Sequence, residues 1–114
     1  MRGSAVAVAG LALVLASPAQ ADIVSVRPSE VAIGGQVRIR SDAPVGKGVR
    51  VDFGRKGRRV RTRALRTRRQ VKVTVPLRAA ALLRSRHMPT RVKVRLVEAG
   101  VPGRWARQRL LVRP

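Results

Sequence analysis

The chain has 114 residues, with 26 Lys or Arg against 5 Asp or Glu and a formal charge of +21. That length holds one domain and excludes a large multidomain enzyme. The absence of cysteine excludes disulfides, thiolate zinc sites and thiol nucleophiles, while a hydrophobic content of 45% argues against simple disorder despite the charge.

Met1 to Ala21 has the three parts of a secretory signal peptide. Arg2 is the positive start, Ala5 to Ala16 the uncharged apolar run, and Ala19-Gln20-Ala21 the small residues that a signal peptidase reads. The apolar run is about twelve residues, short of the roughly twenty that span a bilayer as a helix. Cleavage is expected after Ala21. The absence of cysteine excludes a lipoprotein anchor. The expected product is one domain of residues 22–114, secreted, periplasmic or associated with a bacterial cell envelope.

Along that domain, apolar and polar residues alternate. Ile23 to Arg27 reads as an edge strand ended by Pro28. Val37 and Ile39 alternate with Gln36, Arg38 and Arg40. Val49, Val51 and Phe53 alternate with Arg50 and Asp52. Val71, Val73 and Val75 alternate with Lys72 and Thr74, and Val92, Val94 and Leu96 with Arg91, Lys93 and Arg95. Successive side chains of a strand point to opposite faces, so each run reads as a half-buried strand with a basic outer face. Ala106 to Arg113 reads as the last strand, with Leu110 and Val112 inward. Turn signals at Gly34-Gly35, Ser41 to Pro44, Gly46 to Gly48, Gly54 to Gly57 and Ala99 to Gly103 separate the runs. Leu77 to Arg86, between Pro76 and Pro89, is the one helical candidate, expected to make two or three turns. This pattern predicts an all-β fold, an immunoglobulin-like antiparallel β-sandwich with one short helix near residues 77–86.

The residues also resemble a known family. Ile23-Val24-Ser25-Val26-Arg27-Pro28-Ser29, then Gly34-Gly35 and Val37-Arg38-Ile39, is similar to the opening of an IPT/TIG domain. Val49 to Gly54 and Gln70 to Pro76, a strand ending in proline, continue the likeness, and Val92 to Val97 and Leu110 to Val112 fill its last two strands. The resemblance implies an immunoglobulin-like sandwich of the bacterial exported type, a module that binds proteins or glycans or acts as a spacer. It brings no catalytic residues. Two departures stand out: Ser41 to Pro44 replaces the usual Gly-x-Asn-Phe-like stretch, and Leu77 to Pro89 is longer and more helical than the usual loop.

Catalysis needs titratable groups placed together. The acids Asp22, Glu30, Asp42, Asp52 and Glu98 are scattered, and His87 is the only histidine. The expectation is no enzyme, no metal site and no cofactor. Glu30 is read as balancing a nearby Arg, and Asp52 as pairing across strands with one Arg, worth roughly 0.2–1 kcal/mol. Gly54 to Gly57 lacks the Lys-Ser or Lys-Thr of a phosphate loop and reads as a tight turn.

The basic residues are the loud signal. Nine cations fall within Arg55 to Arg69: Arg55, Lys56, Arg58, Arg59, Arg61, Arg63, Arg66, Arg68 and Arg69. Such a charged segment suits a sheet edge. Arg50, Arg91, Lys93, Arg95, Arg107 and Arg109 form a second set, on strands that share one sheet in an immunoglobulin-like sandwich. Arg makes bidentate bonds to phosphate and carboxylate, so both sets are candidate polyanion-binding residues. Arg outnumbers Lys by 22 to 4, as a GC-rich genome would favour, but that bias does not account for only five acids. The expected partners are anionic envelope polymers (teichoic acid, lipopolysaccharide, acidic polysaccharide) or an acidic protein. The alternative is a secreted protein that binds nucleic acid without sequence preference, because charge favours it while stacking aromatics are nearly absent. Phe53 is read as core, and Trp105 as covering the end of the core or, alternatively, as a stacking residue.

Overall fold

The computed structural model describes residues 21–114. The expected signal peptide therefore lies outside the described residues, save for its last residue, Ala21. That alanine is buried, and its N–H donates to Glu98 Oε1 at 3.1 Å.

Ten strands and one short helix form among the described residues. They are β1 (Ile23–Arg27), β2 (Glu30–Ala32), β3 (Gln36–Ser41), β4 (Arg50–Arg55), β5 (Arg58–Arg63), β6 (Leu65–Thr67), β7 (Gln70–Thr74), a 3₁₀ helix (Leu77–Leu82), β8 (Thr90–Glu98), β9 (Val101–Pro102) and β10 (Leu110–Arg113). One sheet has four strands in the order β1-β3-β7-β6. The other has six, in the order β2-β10-β8-β4-β5 with β9 paired to β8. This is the all-β sandwich that the alternation predicts. In an immunoglobulin fold the first, second, fifth and fourth main strands share one sheet, as β1, β3, β7 and β6 do here.

The core lies where the alternation puts it. Val26, Val37, Ile39, Val71 and Val73 face inward from the four-stranded sheet. Val51, Phe53, Val92, Val94, Leu96, Leu110 and Val112 face them from the six-stranded sheet, all essentially without solvent exposure. Burying each such side chain is worth about 1.5–3 kcal/mol relative to leaving it in water.

Three details differ from the sequence expectation. The sheets are not wholly antiparallel, because β2 runs parallel to β10. The chain leaves the four-stranded sheet after Arg27 and joins the other one at Glu30, and Arg113 Nε meets Glu30 Oε2 across that junction at 2.9 Å. The helix is shorter than 77–86. Its buried residues, Ala79 and Leu82, stand three apart, the spacing that aligns in a 3₁₀ helix. Leu83 then turns to an extended conformation and packs its side chain against the core. The last strand begins at Leu110 rather than Ala106. Residues 103–109 are irregular because Gln108 turns its amide to β1, accepting from Val26 N–H at 3.0 Å and donating to Val26 O at 2.6 Å. This side chain thus occupies hydrogen-bonding groups on the edge of β1.

Gly54 to Gly57 is the tight turn expected, pairing Arg55 with Arg58. Lys56 and Gly57 both have positive φ, as a two-residue hairpin turn of type I′ requires. Gly35 is required for a different reason. A Cβ there would run into the Val31 side chain and stand 2.9 Å from Ala32 O.

Candidate functional site

Three strands build the basic face. In register, Asp52 of β4 lies between Arg61 of β5 and Arg95 of β8. Gly54 lies between Arg59 and Lys93, and Arg50 lies between Arg63 and Val97. These residues alternate with the buried Val51 and Phe53, so all of them point away from the core. The result is a three-by-three lattice on the outer surface of the six-stranded sheet, with six cations and a single acid.

That acid is the centre of the lattice, and it pairs across strands as expected, but with more than the one Arg foreseen. The Asp52 side chain has no solvent exposure. Arg61 donates through Nε to Oδ1 at 2.8 Å and through Nη2 to Oδ2 at 3.2 Å. Arg95 donates through Nε to Oδ2 at 2.9 Å, and Arg59 Nη1 stands 3.7 Å from the same oxygen. Burial pushes the Asp52 carboxyl up, but the hydrogen bonds and charges of Arg61 and Arg95 outweigh it and hold the group below the ordinary aspartate value. The same hydrogen bond raises the Arg61 guanidinium. The expected modest pair is therefore a buried carboxylate shared by three arginines, because register brings β5 and β8 to either side of it.

Trp105 completes this arrangement. Instead of covering the end of the core, it lies over the outer face. The Arg95 guanidinium sits 4.1 Å from its ring centroid and Lys93 Nζ 5.8 Å. Only glycine fits beneath: a Cβ on Gly54 would stand 2.6 Å from Trp105 Cη2. Arg95 is thus held between an aromatic face and a carboxylate, with 19% of its side chain exposed. Phe53 is in the core, as expected.

The structure brings together some of the sequence-predicted residues and separates others. Arg50, Arg59, Arg61, Arg63, Lys93 and Arg95 share the lattice, and Arg91 extends it toward β10. Arg55, Lys56 and Arg58 gather at one end of the sandwich, where the Arg55 and Arg58 guanidinium groups reach Leu82 O at 3.5 Å and Ala81 O at 3.3 Å. Arg66, Arg68 and Arg69 belong to the other sheet, in and after β6, so the Arg55 to Arg69 run crosses between the sheets at Ala64. Arg107 and Arg109 lie exposed in the irregular segment before β10, with Arg107 lining a recess beside β1.

Sequence reasoning missed two features. Arg27, Arg38 and Lys72 stand side by side on the outer face of the four-stranded sheet, all exposed. Their alternation was visible, but which strands neighbour each other was not. Arg84, beyond the helix, joins the Arg55 end through a loop with no periodic signal.

Three of the four remaining acids are tied to the fold. Glu98 accepts from the N–H groups of Ala21 and Gly46, Asp42 accepts from Asp22 N–H at 2.8 Å, and Glu30 holds Arg113. Among the described residues, no helix is long and apolar enough to cross a membrane. No protein-family model matches the chain, and a search of curated proteins finds no match.

Proposed function

We propose that this chain is an exported, non-enzymatic binding module of IPT/TIG type that associates with anionic polymers of the bacterial cell envelope. The observation that carries the reading is the lattice on the six-stranded sheet, where six cations surround one acid that is already fully engaged. A rigid sheet holds these cations in fixed rows. Neighbours along a strand on the same face stand about 7 Å apart and strands about 4.8 Å apart, so a linear polyanion meets a preformed array. Asp52 orders Arg61 and Arg95 without cancelling the array, and Trp105 restricts Arg95 further. Less rotamer freedom is then lost when a ligand binds.

Four of the five acids hold backbone or arginine groups, which supports a binding role over acid–base chemistry. The strand order agrees with the immunoglobulin-like architecture that the IPT/TIG resemblance implies. Nucleic acid is the weaker alternative, because Phe53 is buried and the Trp105 ring is engaged by Arg95. An acidic protein partner would use the same array.

The test is binding of purified residues 22–114 to teichoic acid, lipopolysaccharide, duplex DNA and an uncharged glycan across a salt series. An envelope polymer is expected to bind several-fold tighter than DNA and to stay bound at about 0.3 M salt. Equal binding of all polyanions, with release together as salt rises, would overturn a dedicated polymer site. No binding even at low salt would overturn the reading altogether.

A further inference from the structure

At the end of the sandwich that carries the β4–β5 turn, the cations make no ion pair with an acid among the described residues. Two recesses meet there. One, of about 390 Å³, is lined by Arg55, Arg84, Arg91 and Thr90 with Pro89 and Leu111. The other, of about 400 Å³, is lined by Arg55, Lys56, Arg58 and Arg84 against residues 81–83. Arg55 and Arg84 belong to both, so they form the wall between them. Neither lining contains a carboxylate.

The wall is built into the fold. Arg55 is half-buried at the end of β4, with Nη1 turned to Leu82 O, and Arg58 is turned to Ala81 O. The backbone N–H of Arg84 donates to the buried Thr90 hydroxyl at 2.9 Å, which fixes where the Arg84 side chain departs. The contrast with the sheet face is one of compensation. On the face, Asp52 takes up hydrogen bonds from Arg61 and Arg95. At this end, among the described residues, Arg55 and Arg58 meet long contacts to neutral carbonyls in place of a carboxylate.

We propose that this end is the seat for individual phosphate groups of the ligand, one on each side of the Arg55–Arg84 wall. The cations reach it from four places: the β4 end with its turn, the start of β5, the loop after the helix, and the start of β8. They therefore come together from segments far apart in the chain rather than from one strand. A tetrahedral oxyanion offers acceptor oxygens in several directions and can meet such donors together, whereas a carboxylate offers two oxygens in one plane. The inference rests on the anionic-polymer reading for its ligand and narrows it to phosphate-bearing polymers over carboxylate-bearing ones.

The experiment has two arms. In the first, backbone amide shifts of the ¹⁵N-labelled protein are followed while inorganic phosphate or acetate is added at matched ionic strength. In the second, affinity for a polyglycerol-phosphate teichoic acid is measured for the parent, for Arg84→Gln, and for Arg38→Gln, which removes the same charge from the other sheet. Both variants are first shown to keep the parent's circular dichroism and melting temperature. Phosphate is expected to shift the amides of Lys56, Arg84 and Arg91 saturably and acetate is not. Arg84→Gln is expected to weaken polymer binding about tenfold and Arg38→Gln less than threefold, as one lost charge-assisted contact predicts.

Shifts spread over both sheets, equal effects of phosphate and acetate, or equal losses in the two variants would overturn the seat and leave the binding-module reading in place. Absence of polymer binding at low salt would overturn that reading instead. Local phosphate shifts in that case would show the seat to be a site for small anions.

Discussion

On the six-stranded sheet the middle row of the outer face reads Arg61, Asp52, Arg95, and its central carboxylate is fully buried. On the four-stranded sheet a comparable row reads Arg27, Arg38, Lys72, and all three are exposed. Both rows come from strands with the same alternation of valine or isoleucine and charge. They differ in whether one residue is an acid. With an acid at the centre, neighbouring guanidinium groups fold inward over it and bury it. Without one, like charges stand opposite each other and extend into water, where solvent and salt screen their repulsion. A basic sheet face thus becomes an ordered array only where a counter-charge organises it.

The largest test of that contrast removes the counter-charge. Asp52→Asn leaves Arg61 and Arg95 crowded and without their acceptor, and is expected to cost about 3 kcal/mol of stability in urea denaturation. Arg38→Gln, in the unpaired row, is expected to change stability by no more than about 0.5 kcal/mol. Similar costs for the two would show that the Asp52 network does not distinguish the faces.

The second test uses pH. Asp52 is held below its ordinary value of 3.8 in the folded state. Its contribution is therefore complete above that value and is lost as pH falls below it through the folded value. The stability difference between the parent and Asp52→Asn should be flat from neutral pH down to about 5 and shrink below about 4. A difference that stays constant to lower pH would show that the asparagine penalty is steric rather than electrostatic.

The smallest effect sharpens the part played by Trp105. Gly54→Ala places a methyl group where the ring lies and is expected to push it off Arg95, at a cost of about 1–2 kcal/mol. Because Trp105 is the only tryptophan, its emission reports the displacement directly, as a shift to longer wavelength. Unchanged emission would mean that the backbone moves instead of the ring.

Much of this architecture was legible in the chain. Side-chain direction on a strand repeats every two residues, a local property, so Val51 and Phe53 inward with Arg50 and Asp52 outward could be read without knowing any neighbour. Pro76 and the glycine pairs likewise marked ends of elements through backbone restrictions that each residue carries with it. Other features were not legible because they are not local. Glu30–Ala32 is a strand only because β10 lies beside it. Leu83 is extended because its side chain packs on the core, despite good helix formers around it. Gln108 leaves the expected last strand because Val26 presents backbone groups to its amide.

The candidate site divides in the same way. Composition and alternation determined that the protein would present arginine outward on a valine-built sandwich. Whether a given arginine would be paired or free was decided by register between β4, β5 and β8, which sets Asp52 opposite Arg61 and Arg95. It was decided as well by the crossing at Ala64, which divides one basic run between two sheets, and by the loop that carries Arg84 to Arg55. Outward direction follows from the pleat of a single strand. Electrostatic partnership depends on distances of a few ångströms between segments far apart in the chain, and only the folded sandwich sets those.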